Sequence, residues 1–182
     1  MAEPLVAVLA AGRAERFGGG KLEADCAGKP LGRWAVEAAP HPGIIVAGPG
    51  GVSFAPGWTL LTNPRPEDGL GSSLALAARH AIALRSASLL VLLADMPLVT
   101  ADYLQRLFAH SAPAATRYRE GHAGVPALLD RSLIELAAGL SGDHGMGPLL
   151  RGAALLDPPL GMLRDVDTPA DLAEAAHQLL SR

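Results

Sequence analysis

Cysteine is nearly absent from this chain of 182 residues. Cys26 stands alone, which excludes an internal disulfide framework and a zinc site built on cysteine thiolates. A reducing compartment agrees with that usage. Long apolar runs are missing too. The longest strong one, at 89–94, falls far short of the ~18 residues that a transmembrane helix needs. An excess of positive charge is also lacking: 15 Lys+Arg against 18 Asp+Glu leave a formal net charge of −3. Nucleic acid is therefore not held by bulk charge. The opening Met-Ala-Glu-Pro has no basic stretch and is not expected to act as a secretory signal. Charged residues are 18% of the chain and hydrophobic ones 49%, a balance that excludes global disorder. The length fits one domain over 1–182, at roughly 100–200 residues per domain. The expectation is a soluble cytoplasmic protein without a membrane or nucleic-acid partner.

What is present alternates. Residues 5–10 form a continuous apolar run, the pattern of a strand buried on both faces. Runs at 44–47 and 58–62, each flanked by Pro and Gly, read as further strands, and 89–93 is the most apolar and the expected centre of a sheet. Helical patterns lie between them. Pro30 opens one over 31–39, since proline is tolerated at the first helical position. A second, over 72–84, places Leu74, Ala77, Ala78, Ala81 and Ile82 at helical spacing. Thr100 caps a third, with Leu104, Leu107 and Phe108 on one face. Weaker signals predict a strand near 114–118, a turn at Glu120-Gly121, a helix capped by Asp130 and ended by Gly139, and short strands at 153–156 and 163–166. Thr168-Pro169-Ala170-Asp171 combines a cap, a proline and an acid three residues on, and starts a last helix. Such alternation predicts an α/β, Rossmann-like three-layer sandwich: a mostly parallel sheet with helices on both faces. Ligands in such sheets bind outside the carboxyl ends of the strands.

Three glycine-rich loops and Asp95 fall at that edge. The first loop runs from Leu9-Ala10-Ala11-Gly12 to Gly18-Gly19-Gly20-Lys21 and adds Arg13 and Arg16. Glycines let backbone N–H groups approach an anion. Arginine forks grip two phosphate oxygens, and lysine supplies a compact point charge. The loop therefore predicts a triphosphate site, although it lacks both the Walker A ending and a dinucleotide fingerprint. A solvated loop with ordinary surface charges is the other reading. Asp95 directly follows the most apolar strand. With Pro97 setting the exit, it suits a Mg²⁺ that bridges phosphates, or else a turn aspartate; Thr100 is the better cap for the next helix. Asp165 and Asp167 lie two apart on an extended segment, hence on one face, where they repel unless a cation or solvent separates them. They are a second contribution to the metal or, alternatively, part of a helix-start turn. Gly69-Leu70-Gly71-Ser72-Ser73 opens a helix with N–H groups and hydroxyls available to a base or ribose, or serves simply as a serine cap. The six histidines show no metal spacing; His122 and His144 lie in loops at the same edge, where they can touch substrate. Cys26 has no partner histidine in the sequence, and the Gly-x-Ser-x-Gly elbow of serine hydrolases does not occur.

These pieces stand in the order seen in MobA-like NTP transferases, together with Gly28-Lys29-Pro30-Leu31, Asn63-Pro64, Leu93-Ala94-Asp95-Met96-Pro97, the run 124–129, Gly142-Asp143-His144-Gly145 and the run 165–172. The chain resembles that superfamily and, within it, the molybdenum cofactor cytidylyltransferases of the MocA type. The resemblance implies the fold of the nucleotide-diphospho-sugar transferases. It implies transfer of CMP from CTP to a phosphorylated acceptor of the molybdopterin type, with Mg²⁺ as cofactor and pyrophosphate as product. It implies Arg16, Lys21 and Asp95 as catalytic groups. Leu9, Ala10, Ala11, Gly12 and Arg13 would surround base and phosphates, with Asn63, Gly69, Ser72 and Ser73 on base and ribose. Asp95 would bind the metal with help from Asp165 or Asp167. Gly124, Pro126, Asp143, His144 and Gly145 would face the acceptor.

The Ala10-Ala11-Gly12 form is similar to the cytidylyl branch, guanylyl relatives tending to read Ala-Gly-Gly. The acceptor loop departs from the pattern. It reads Gly-Asp-His-Gly-Met-Gly where relatives often end in Gly-Ala-Arg, and Arg117 and Arg119 stand nearby as replacements. Two alternatives stay open: a MobA-like transferase using GTP or another phosphorylated acceptor, and a nucleotide-binding regulatory module without turnover. The joint presence of Arg16, Lys21 and Asp95 argues against the second. The expected partners are a nucleoside triphosphate, the acceptor and, transiently, an enzyme or chaperone that receives the cofactor.

Overall fold

The structure is a computed structural model that describes residues 3–12, 15–142 and 146–181. In chain order its elements are β1 (Leu5–Ala10), β2 (Asp25–Cys26), β3 (Lys29–Pro30), α1 (Leu31–Ala38), β4 (Ile44–Ala47), β5 (Thr59–Thr62), α2 (Leu70–Ala83), β6 (Ser88–Leu93), α3 (Ala101–Phe108), β7 (Ala114–Arg117), β8 (Ala123–Asp130), α4 (Arg131–Ala137), β9 (Ala154–Leu156) and α5 (Pro169–Leu180). Seven strands form one sheet in the order β5-β4-β1-β6-β8-β7-β9. Only β8 runs against the rest: it pairs antiparallel with both β6 and β7, while every other ladder of the sheet is parallel. The central run expected to be the most apolar is β6, beside β1, with Leu89, Leu90 and Val91 fully buried.

From β1 the chain winds outward through α1 to β4 and then to β5. It returns through α2 to β6 on the other side of β1. Right-handed crossovers in opposite directions place α1 and α2 on opposite faces of the sheet. Helix α4 packs on α2, and α3 meets α1, completing three layers. The reversal leaves a crevice between the carboxyl ends of β1 and β6, the place where open α/β sheets bind ligands.

The predicted helix starts are observed. The Thr100 hydroxyl accepts from the Tyr103 amide at 3.3 Å, and the Asp130 carboxylate from the Leu133 amide at 2.9 Å. Thr168 and Asp171 form a reciprocal capping box. One expected strand is absent and one hairpin was not foreseen. Residues 163–166 form no strand; the Val166 amide donates to the carbonyl of Asp95, just past the end of β6, at 3.0 Å. The hairpin β2–β3 was not predicted, because two-residue strands are too short to show a period. Its turn takes left-handed values at Ala27 (φ 56) and Gly28 (φ 88), as tight hairpins require.

A second, smaller core lies beside the sheet. Cys26, Leu31, Val166 and Ala175 are buried together, joining the hairpin, α1, α5 and the segment before α5. Val166 is buried there, with Asp165 and Asp167 on either side of it.

Candidate active site

Lys21 is the centre of the site. It follows three consecutive glycines with positive φ (86, 96 and 63), and only 6% of it is exposed. Its ammonium donates to Asp95 Oδ2 at 2.8 Å, to the Val166 carbonyl at 2.7 Å and to Asp167 Oδ1 at 3.2 Å. Three protons thus meet three acceptors, from segments 74 to 146 residues away. Burial alone would lower the Lys21 pKa, but the Asp95 charge and hydrogen bond, reinforced by Asp167, raise it above its ordinary value. Lys21 is held as a cation. Arg16, highly exposed, reaches Asp167 Oδ2 through its guanidinium at 3.1 Å.

Asp165 completes an acidic group. Its carboxyl is pushed up to about 6, first by burial and then by the charges of Asp95 and Asp167, with Lys21 opposing. Three carboxylates around one buried ammonium leave a surplus of negative charge. Among the described residues no three His, Cys, Asp or Glu side chains form a group that would hold an ion alone. A hard divalent cation nevertheless fits this donor set: Mg²⁺ characteristically takes one or two carboxylates and fills its remaining positions with water and substrate phosphates. Asp95 and Asp167, both partly exposed, would be the residues holding it.

Beside this network lies a cleft of about 360 Å³ at the crevice between β1 and β6, lined among others by Leu9, Ala11, Gly12, Gly69, Ser73 and Asp95. Two of the three glycine-rich loops therefore converge as expected, and the third joins them through the Gly71 amide, which donates to the Gly142 carbonyl at 3.2 Å. Other expected nucleotide contacts sit differently. Ala10 is buried in β1 opposite Ala47. Asn63 is buried behind the cleft, where its amide donates to the Ser72 and Ser73 hydroxyls, each at 2.9 Å. Its Oδ1 accepts from the Arg65 amide at 3.0 Å. Ser72 in turn donates to the Gly69 carbonyl at 2.8 Å. Asn63 and Ser72 thus brace the loop, because an amide with four hydrogen-bonding positions can bridge several partners at once. Arg13, Asp143, His144 and Gly145 lie outside the described residues.

A second cleft, of about 1050 Å³, opens on the other side of Leu70, which lines both. Gly124 lines it. A Cβ there would fall 2.5 Å from the Tyr118 ring, so glycine is required by a close approach. Pro126 does not face this cleft: it is buried within β8, and its carbonyl accepts from the Thr116 hydroxyl at 2.8 Å. Tyr118 is a wall residue that the sequence reading did not single out. Its hydroxyl donates to the Val125 carbonyl at 2.7 Å. Burial, then the nearby charges of Asp165 and Asp95, raise its pKa well above the usual phenol range. It stays neutral and marks the boundary between the acidic group and the larger cleft. No spacing rule ties a tyrosine on a hairpin to an aspartate 47 positions on; only the fold does.

The sequence pattern of the MobA-like NTP transferase domain matches residues 6–158. Its span ends before Asp165 and Asp167. The purine catabolism protein PucB of Bacillus subtilis (strain 168) is 28% identical over 186 residues, covering 90% of this chain and 91% of that protein. Among solved structures, a nucleotidyl transferase from Methanothermobacter (Mth528) superposes with a TM-score of 0.78 at 20% identity, covering 99% of each chain. Rv0371c from Mycobacterium tuberculosis H37Rv, in complex with manganese, gives a TM-score of 0.74 at 20% identity, covering 97% of this chain and 99% of that one. At these identities the likeness to both structures is one of fold.

Proposed function

The chain belongs to the MobA-like NTP transferase family, and on that premise we propose that it transfers CMP from CTP to a phosphorylated acceptor of the molybdopterin type. The observation that carries this reading is the 2.8 Å contact of Lys21 with Asp95 beside the crevice between β1 and β6. A buried cation and a carboxylate meet there at the mouth of a glycine-lined cleft.

An acceptor phosphate oxygen attacks the α-phosphorus in line. The bond from that phosphorus to the bridging oxygen breaks, and pyrophosphate leaves with the electron pair. No side-chain nucleophile is needed, so the protein works by positioning and charge neutralisation. Lys21 meets the charge developing on the α-phosphoryl oxygens. To do so it exchanges its longest contact, to Asp167, for a phosphate oxygen. Arg16, exposed at the rim, turns to the departing pyrophosphate. Asp95 and Asp167 would hold Mg²⁺, which would supply neutralisation of phosphate charge. Ala11 lines the cleft; its methyl group leaves less room than glycine would, which favours the smaller pyrimidine base. The whole chain, 1–182, acts as one transferase domain in the cytoplasm and hands its product to a receiving enzyme or chaperone.

Pyrophosphate release with each of the four NTPs, Mg²⁺ and molybdopterin tests the reading. CTP is expected to be preferred. A clear GTP preference would overturn the base assignment. Nucleotide binding without turnover on molybdopterin or on other phosphorylated acceptors would leave a regulatory module in place of an enzyme.

A further inference from the structure

The larger cleft carries three arginines, and they are not equivalent. Arg117 is tied to Asp157, Nε to Oδ1 at 2.8 Å, and Arg164 is tied to Glu174 of α5. Arg119 is exposed and has no carboxylate partner among the described residues. Its backbone is held by a tight turn: the Tyr118 amide donates to the His122 carbonyl at 2.7 Å and the Gly121 amide to the Tyr118 carbonyl at 3.2 Å. Glu120 and Gly121 adopt consecutive left-handed conformations there, with φ 59 and 76. A non-glycine residue in that region is strained and persists only where its surroundings enforce it.

We propose that Arg119 is the specificity-determining residue that grips the anionic group of the acceptor. This rests on the reading of the larger cleft as the acceptor side. A guanidinium has five donors in a fork that matches phosphate oxygens. Arg117 and Arg164 would have to surrender a carboxylate before engaging an anion, whereas Arg119 surrenders only water. Apolar walls at Leu70, Met146, Leu160 and Leu163 complete the cleft, so it suits an acceptor with an apolar or planar body and one phosphate. Glu120 lines the same cleft and is the one opposing charge on the turn.

Phenyl phosphate, which carries both features without being a nucleotide, is the probe. Amide chemical shifts are followed by NMR during its titration, with phenol as the uncharged control. Wild type is expected to bind phenyl phosphate with shifts centred on residues 117–125. Arg119→Ala should weaken that binding about tenfold, the scale of one charge-assisted hydrogen bond, with partial recovery in Arg119→Lys. Arg117→Ala should stay within about twofold, Glu120→Gln should bind at least as tightly as wild type, and phenol should bind wild type and Arg119→Ala equally. The proposal is overturned if wild type does not bind the probe, if Arg119→Ala binds it unchanged, or if Arg117→Ala loses as much. No nucleotide enters this experiment, so it is separable from the transfer reading: Arg119-dependent binding in a chain that releases no pyrophosphate would sink the enzyme and keep the anion site.

Discussion

The rim at the ends of β1 and β6 and the cleft below the β7–β8 turn hold their charges in opposite ways. At the rim, one buried ammonium is shared by two carboxylates and a carbonyl drawn from distant parts of the chain. At the cleft, each arginine is on the surface, paired singly or left free. The first arrangement is largely preorganised: on the proposed reading Lys21 keeps Asp95 and the Val166 carbonyl and gives up only its longest contact, to Asp167, when it meets phosphate charge. The second leaves side chains to settle around whatever arrives. On the proposed reading, the transfer chemistry and the recognition of the acceptor are thus kept in separate places.

The largest expected effect breaks the rim. Lys21→Ala and Asp95→Ala should each lower turnover at least tenfold, about 1.4 kcal/mol of barrier, while the far-ultraviolet spectrum stays native. Because the two groups touch, the double variant should lose much less than the product of the single losses; multiplicative losses in pyrophosphate release would show that they act separately. Next comes a contrast of glycines. Gly124→Ala drives a methyl group into the Tyr118 ring and should cost about 1–3 kcal/mol in urea unfolding. At Gly12 a Cβ would meet nothing within 4 Å, so Gly12→Ala should change stability by no more than about 0.5 kcal/mol. Equal costs at the two positions would erase the packing difference between rim and cleft.

A smaller effect tests how the rim receives its second carboxylate. Thr168→Ala removes the cap that starts α5 just after Asp167 and should cost about 1 kcal/mol, read as a lower urea midpoint. The smallest effect is one of pH. The Thr168 hydroxyl first, with the amides of Thr168 and Asp167, holds the Asp171 carboxyl below its ordinary pKa. A carboxyl lowered in the folded state stabilises at pH values above its unfolded pKa, and that contribution disappears as pH falls through the folded value. Asp171→Asn should therefore be slightly less stable than wild type near neutrality, with the difference vanishing in acid. A constant difference across that window would remove the titration from the account.

The two regions also differ in how readable they were. Strands β1, β4 and β6 announce themselves as short apolar runs, and the caps at Thr100, Asp130 and Thr168 by their side chains, because these signals are local. The meeting of Lys21 with Asp95 is not local. It followed from one rule: both residues end strands or strand-following loops on the same edge of a parallel sheet. The inward turn of Asn63 escaped that rule, because a carboxyl-edge position says nothing about which side of a loop an amide faces. Residues 163–166 looked like a strand because Leu163 and Val166 flank a short extended stretch, yet the Val166 amide meets only the Asp95 carbonyl, just past the end of β6. They are held by the small core around Val166 instead. Gly124 was expected to touch the acceptor, and its requirement for glycine comes from Tyr118, a neighbour that only tertiary structure supplies.

The one reversed strand has a further consequence. Because β8 enters the sheet at the functional edge, the chain reaches that edge from β7 by a tight turn and needs no crossover helix there. A turn can lengthen, shorten or exchange its tip without repacking a layer. On the proposed reading, the acceptor side can therefore change at a few positions after Arg117 while the parallel half that brings Lys21 to Asp95 keeps its packing.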